Sequence, residues 1–283
     1  MTTPPSGIPA PATGTARVAA IFDAVAGVYD QVGVAWFTPI ARALVGEVAP
    51  RPGERALDLG CGRGAATRAL AEAVLPAGAV TAIDLSPAMV AALRADLADA
   101  GLDAVEVDVR DAAAPQLPPR SFDVAVASMV LFFLPDPGAA LRTWHDLLVP
   151  GGRLGVSTFG AQAAVWEDLD DVFTPYLPPA MLDARTSGRT GPFGSDAGVE
   201  ALVQAAGFTG VRTVTIPASV TLQDPGHWET WSRSHGQSAM WRAVPAEAVD
   251  AVRAEAFARL EAARGDDGLL HLGQQVRLTL ATA

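Results

Sequence analysis

Three glycines at alternate positions, directly after an apolar strand that carries an aspartate, constrain this chain more than any other feature of its sequence. The segment is Ala56-Leu57-Asp58-Leu59-Gly60-Cys61-Gly62-Arg63-Gly64, and a helix-forming run over residues 65–75 follows without a gap. Glycine lets the backbone turn sharply and lets a ligand approach with no Cβ in the way. The helix that starts there points unpaired amides at that ligand. Strand, glycine turn and helix N-terminus in this order form a nucleotide-type cradle at the carboxyl end of the first strand of an open α/β sheet. The loop alone does not choose the nucleotide, because Gly60, Gly62 and Ala65 also satisfy the G-x-G-x-x-G/A dinucleotide fingerprint.

The sequence downstream narrows the choice. Ala79-Val80-Thr81-Ala82-Ile83-Asp84 has the pattern of a buried strand ending in an acid, about twenty residues past the glycines, the spacing of a ribose-binding carboxylate. Its paired acceptor oxygens suit two ribose hydroxyls. Capping the next helix is a competing role for Asp84, but Ser86 before Pro87 serves it well. A third strand leads into Arg110-Asp111-Ala112. A fourth, Phe122-Asp123-Val124-Ala125-Val126-Ala127-Ser128, runs into Met129-Val130-Leu131-Phe132-Phe133-Leu134-Pro135-Asp136, and Leu148-Val149-Pro150-Gly151-Gly152 turns into a fifth. Taken in order, these five segments resemble the motifs of class I S-adenosylmethionine-dependent methyltransferases. The resemblance is close over residues 18–159 and loose beyond.

The resemblance implies a Rossmann-like seven-stranded α/β sheet, parallel with an antiparallel last strand and with helices on both faces. It implies S-adenosyl-L-methionine as cofactor, cradled by Asp58, Gly60, Cys61, Gly62 and Ser128, with Asp84 on the ribose and Leu85 and Met89 against the adenine. Asp111 then accepts from the adenine amine and the Ala112 amide meets the ring. Asp108 competes for the Asp111 role, but alternation with Val107 and Val109 turns it out of the sheet. Near the N-terminus, Phe22-Asp23-x-x-Ala26-x-x-Tyr29-Asp30 resembles a signature of ubiquinone/menaquinone-type methyltransferases, which implies that Tyr29 leans over the methionine end of the cofactor. Two positions depart from the pattern. Phe132 and Phe133 stand where histidines are common and leave an apolar wall, and Val149 replaces the usual lysine of the Pro-Gly-Gly turn.

Along the chain, residues 1–15 are rich in Pro, Ala, Gly, Ser and Thr and are expected to be disordered. Residues 16–50 read as a helical cap broken near Gly33 and at Pro39, 51–159 as the cofactor-binding core, and 160–194 as an insert. Residues 195–283 complete the core: a helix at 195–206, a strand at 211–216, a helical insert at about 225–264, and a final strand at 269–281. Loops of that length inside a compact domain usually have a function. Four of the six tryptophans lie in the two inserts. Trp166, Trp231 and Trp241, with Phe132 and Phe133, are therefore the expected substrate pocket beneath a helical lid, against the alternative that the tryptophans simply pack the inserts onto the core.

Methyl transfer from a sulfonium needs alignment and exclusion of water first, and a base only for some acceptors. His235, in Ser232-Arg233-Ser234-His235-Gly236, is the candidate base, with a helix-end structural role as its alternative. His227 is second, and His145 reads as structural. The four histidines and single cysteine show no metal-ligand spacing, and Cys61 reads as a small packed residue rather than a nucleophile. A net charge of −11, with no basic cluster, argues against nucleic acid. There is no lysine; with so much alanine this fits a GC-rich bacterial genome. No secretion signal or 20-residue apolar span is present. The expectation is a cytoplasmic methyltransferase of secondary metabolism acting on oxygen or carbon of a small, apolar or aromatic acceptor, without nucleic acid or membrane partners and with a homodimer as a possible assembly. Reuse of the fold for a non-methylating reaction such as cyclisation is the alternative. A nicotinamide oxidoreductase is disfavoured because the chain has no lysine for a Tyr-x-x-x-Lys arrangement, and an inactive binder because Asp58, Asp84 and Asp111 all remain.

Overall fold

The computed structural model describes residues 14–179 and 189–283. Most of the tail expected to be disordered, residues 1–13, lies outside the described residues, as does 180–188 of the first insert. Gly14 already opens helix α1 (Gly14–Asp23), and turns follow to Asp30 before α2 (Phe37–Val48). The break expected at Pro39 does not occur. Pro39 sits in the first turn of α2, where its missing amide would have no partner in any case.

Five strands then alternate with helices: β1 (Arg55–Leu59), α3 (Ala65–Val74), β2 (Ala79–Asp84), α4 (Pro87–Asp99), β3 (Val105–Val109), β4 (Phe122–Ser128), α5 (Pro137–Leu147) and β5 (Leu148–Gln162). Local chemistry sets the helix starts. Ser86 accepts from the Met89 amide at 3.1 Å with Pro87 in the first turn of α4, and Asp136 accepts from Ala139 at 2.8 Å with Pro137 in the first turn of α5. After β5 come α6 (Ala164–Phe173), α7 (Asp196–Ala205), β6 (Thr209–Pro217), β7 (Val220–Leu222), α8 (Pro225–Ser232), α9 (Ser238–Ala243), α10 (Val249–Ala262), β8 (Leu270–Leu272) and β9 (Gln274–Thr282).

The main sheet has seven strands in the order β3-β2-β1-β4-β5-β9-β6. Strands β1 to β5 pair in parallel, and β9, last in the chain, runs antiparallel to both β5 and β6. Strand order reverses between β1 and β4, so a crevice opens at their carboxyl ends. The single final strand expected at 269–281 is instead two strands split at Gly273. β8 pairs with β7 as a separate two-stranded sheet, a stem from which α8, α9 and α10 project. The Gly273 carbonyl accepts from the Ala163 amide at 2.9 Å and the Trp166 indole at 3.0 Å, which ties the two inserts together where the chain changes sheets.

Apolar strand residues such as Leu57, Leu59 and Ile83 are fully buried in one core together with Leu70, Leu93 and Trp144. The Trp144 indole also donates to the Ala112 carbonyl at 2.7 Å, fixing the chain beyond β3 from behind. Among the described residues no helix is long and apolar enough to cross a membrane.

Candidate active site

Two adjoining hollows, of about 270 and 100 Å³, run along the carboxyl ends of β1, β2 and β4 and share Tyr29, Gly60, Gly62 and Ser128. Asp58 and Cys61 line the first hollow; Asp84, Leu85, Met89, Asp111 and Ala112 line the second. The cleft thus brings together all eleven residues that the sequence assigns to the cofactor. Asp108 is elsewhere, at the sheet edge, paired with Arg94 and Arg110 at 3.3 Å each.

The backbone is built for close approach. Gly60 and Gly64 hold φ near +80°, and a Cβ on Gly60 would lie 2.5 Å from Val130 Cγ2. Asp84 Oδ2 accepts from the Gly62 amide and Oδ1 from the Ser86 amide, both at 2.8 Å. Each oxygen therefore keeps a lone pair for a ribose hydroxyl. Burial raises the Asp84 carboxyl above its ordinary range, and the same two amides oppose that shift. Asp111 Oδ1 accepts from the Ala113 amide at 2.8 Å, which fixes the carboxylate in the second hollow.

Asp58 is 1% exposed. Its Oδ2 accepts from Thr67 Oγ1 at 2.6 Å, while Oδ1 has no hydrogen-bond partner among the described residues. Burial raises its pKa to about 7; the Thr67 hydroxyl opposes this and the Asp84 charge adds to it. Asp30 Oδ1, in the same hollow, is likewise buried without a partner, and Oδ2 accepts from Thr38 at 2.8 Å. Two orphaned carboxylate oxygens beside a glycine cradle fit the ammonium end of an amino-acid nucleoside. The Cys61 thiol is buried and pushed well above its ordinary value by that burial, so it is not a nucleophile.

The N-terminal cap is locked to this cleft by contacts the sequence does not reveal. Asp23 Oδ1 accepts from the Ser86 hydroxyl and from the Ala88 amide, and Arg63, inside the glycine loop, donates to the Ala26 carbonyl at 2.6 Å. Arg63 and Arg68 both pair with Asp96 on α4, at 2.7 and 3.1 Å. Tyr29 stacks on Phe37 at 4.6 Å and meets Phe22 edge-on at 6.1 Å. Burial, with Asp30 and Asp84 nearby, raises its phenol well above 10, so it stays protonated. Met129, at the end of β4, adopts φ +60°, outside the region favoured for non-glycine residues; the Ser157 hydroxyl holds its amide at 2.9 Å.

Aromatic rings continue beyond the hollows, and of the five residues expected to form the substrate pocket only Phe133 lines one of them. Phe133, 39% exposed, meets Phe22 at 5.5 Å and lines the second hollow. Phe132 contacts Phe133 at 4.7 Å and Phe159 at 5.0 Å. Trp231 lies 4.5 Å from His235, 5.9 Å from Trp166 and 6.4 Å from Trp36. Trp166 spends its N–H on Gly273, at the seam between the inserts. Trp241 is not brought to the cleft. Its indole donates to Ser232 at 2.9 Å, and Phe173, Trp228 and the Arg233 guanidinium enclose its ring, a packing role inside the lid.

His227 also falls outside the cleft; its Nε2 meets the Val32 carbonyl at 3.3 Å and anchors the N-terminal arm. His235 lies in the bend between α8 and α9, facing Trp231 and, at 5.9 Å, Phe37. Burial lowers its pKa to about 4, so the ring is neutral near pH 7. Its Nδ1 accepts from the Gln237 amide at 3.4 Å, which leaves the proton on Nε2. This geometry makes His235 a donor rather than the proton acceptor that the sequence suggested.

A family model described as a methyltransferase domain matches residues 57–154. Nocamycin O-methyltransferase of Saccharothrix syringae is 36% identical over 248 residues, covering 83% of this chain and 88% of that protein. Aklanonic acid methyltransferase DauC of Streptomyces sp. (strain C5) is 40% identical over 167 residues, 59% of this chain and 76% of its own length. Among solved structures, the cyclase SpnF superposes with a TM-score of 0.58 at 19% identity over 98% of each chain. At that identity the likeness concerns the fold alone.

Proposed function

This chain belongs to the class I S-adenosylmethionine-dependent methyltransferases of small-molecule type, and from that premise we propose that it methylates an oxygen of a small, largely aromatic metabolite. The single observation that carries the reading is the cleft itself, where the glycine loop, Asp84 and Asp111 converge under a wall of Phe22, Tyr29, Phe37 and Phe133. Oxygen is preferred to carbon because a relative matched over 88% of its length is an O-methyltransferase.

When bound, the cofactor supplies an electrophilic methyl on a sulfonium sulfur, open to in-line displacement. The chain's own residues supply position and dryness. Asp84 and Asp111 hold the nucleoside, and Asp58 and Asp30 face its charged amino-acid end. The rings of Tyr29 and Phe37 shut out water, and alignment of this kind contributes about 7–11 kcal/mol in favourable systems. With Nδ1 occupied and Nε2 protonated, His235 has no lone pair for the acceptor proton. An acceptor whose oxygen is acidic enough to ionise into solvent, a phenol or carboxylic acid, suits such a site. A cytoplasmic setting, a role in bacterial secondary metabolism and no nucleic-acid partner complete the proposal, supported by the charge of −11 and by the sources of the relatives.

The test is transfer of labelled methyl from S-adenosylmethionine to paired aromatic acceptors, one of each pair bearing a phenol or carboxyl and the other none. Label on oxygen, recovered as methyl ether or ester, is the expected result. Label on carbon in both members of a pair would overturn the O-methyl reading.

A further inference from the structure

Two buried polar atoms in the bend between α8 and α9 lack partners among the described residues: His235 Nε2 and Gln237 Oε1. They are opposite in character. The Gln237 amide N–H bonds His235 Nδ1, so Nε2 carries the hydrogen and is a donor. Gln237 Nε2 points to Asp170 Oδ1 at 3.5 Å, which fixes the orientation of that side-chain amide and leaves Oε1 as a bare acceptor. Leaving either group unpaired in a buried site is unfavourable, and native folds seldom do so without a purpose.

Their neighbours include rings that line the two hollows. The His235 ring faces Phe37, which lines the first hollow and stacks on Tyr29. A Cβ on the intervening Gly236 would come within 4.0 Å of Phe22 Cζ, and Phe22 lines the second hollow and meets Phe133. The bend therefore packs behind one lining ring of each hollow, Phe37 and Phe22, with Trp231 also against His235, while residues 235–237 themselves line neither hollow. A donor and an acceptor two residues apart, set among aromatic rings, match a group that accepts and donates at one oxygen on an otherwise apolar ring.

We propose that His235 and Gln237 form a paired handle for a hydroxyl of the aromatic acceptor other than the oxygen that is methylated, His235 Nε2–H donating to its oxygen and Gln237 Oε1 accepting its hydrogen. This rests on the acceptor reading above, and it makes the pair specificity-determining residues. A methoxy group in the same place still accepts from His235 but has nothing to donate to Gln237. A hydrocarbon satisfies neither group.

The probes follow from that logic: 2-naphthol, 2-methoxynaphthalene and 2-methylnaphthalene, titrated by calorimetry into the full chain saturated with S-adenosylhomocysteine. Binding of S-adenosylhomocysteine is measured first, so failure of the methyltransferase reading shows there and not in the probe series. If it fails, the titrations are run on the unloaded chain. The expected order of affinity is naphthol, then methoxynaphthalene, then methylnaphthalene, with steps of about three- to tenfold. His235→Phe keeps a ring against Trp231 and Phe37 and should abolish the advantage of both oxygen-bearing probes over methylnaphthalene. Gln237→Met should equalise naphthol and methoxynaphthalene while leaving both above methylnaphthalene. His235→Gln, which keeps a donor, should restore part of the preference; unchanged S-adenosylhomocysteine affinity certifies each variant's fold. Nitrogen-15 spectra of labelled histidine should show His235 neutral with its proton on Nε2. Equal binding of the three probes by the wild-type chain, binding of none, a uniform loss across all three in His235→Phe, or a proton on Nδ1 would each overturn the handle.

Discussion

Replacing Asp58 with asparagine should stabilise the ligand-free protein, and increasingly so as pH rises. Asp58 is 1% exposed, holds the Thr67 hydroxyl on one oxygen and has no partner for the other. Burial lifts its folded-state pKa to about 7, against about 3.9 in an unfolded chain. A carboxyl raised in this way binds its proton more tightly when folded. Its full contribution to stability is present below pH 3.9 and is lost as pH rises through 7. The loss amounts to about 4 kcal/mol over the whole range, and more than half of it falls between pH 5 and pH 7.5. Asparagine mimics the protonated form, can still accept from Thr67, and does not titrate. The stability of Asp58→Asn minus that of the wild type should therefore grow by about 2–3 kcal/mol between those two pH values. Urea unfolding of both proteins at pH 5 and 7.5, without cofactor, measures it directly. A difference that stays constant with pH, or one that shrinks, would refute the argument that Asp58 is held protonated by burial. Because a cationic ligand favours the carboxylate, S-adenosylmethionine binding near pH 6.5 should also release protons in the wild type more than in the variant, readable from titrations in buffers of different ionisation enthalpy.

Three further outcomes follow from the geometry. Gly60→Ala should cost about 2–4 kcal/mol, because φ is +78° and the new Cβ would overlap Val130; Val130→Ala should recover the overlap part only, as thermal unfolding of the double variant would show. Ser86→Ala should cost about 1 kcal/mol as a lost helix cap, and a double-mutant cycle with Asp23→Ala should give a coupling above ~0.5 kcal/mol, since the two side chains share a hydrogen bond. Trp241→Phe should lower stability by about 1 kcal/mol through the lost Ser232 bond while leaving S-adenosylhomocysteine affinity unchanged; weaker cofactor or acceptor binding in that variant would return Trp241 to the pocket.

The parts of the site that the sequence revealed share one property: each lies at the end of a strand, in a short contiguous run. Gly60, Gly62, Asp84 and Asp111 could be placed because strand periodicity and the glycine turn fix where each backbone leaves the sheet, and Asp111 separates from Asp108 because only one follows the strand's last residue. The hidden parts are contacts between distant segments. Ser86 to Asp23 spans 63 residues and Arg63 to Ala26 spans 37, and no local pattern reports either. Asp30 has no motif beyond its place after Tyr29, and its orphaned oxygen is visible only in three dimensions. The tryptophans show the same limit: composition put Trp231 and Trp241 in one group, yet Trp231 faces His235 while Trp241 is enclosed by Phe173, Trp228 and Arg233. Pro39 misled because a proline's effect depends on its position within a helix, and the helix starts two residues earlier than the break it suggested. Gly273, unremarkable in the sequence, divides one expected strand into two and gives the helical insert its stem.

The most direct measurement is calorimetric titration of S-adenosylhomocysteine and, separately, NADH into the wild-type chain and into Asp84→Ala. The account predicts micromolar binding of the adenosyl ligand, at least tenfold weaker in the variant because both ribose-facing lone pairs are gone, and no binding of NADH. Binding of NADH in place of S-adenosylhomocysteine, or adenosyl binding untouched by the loss of Asp84, would contradict it.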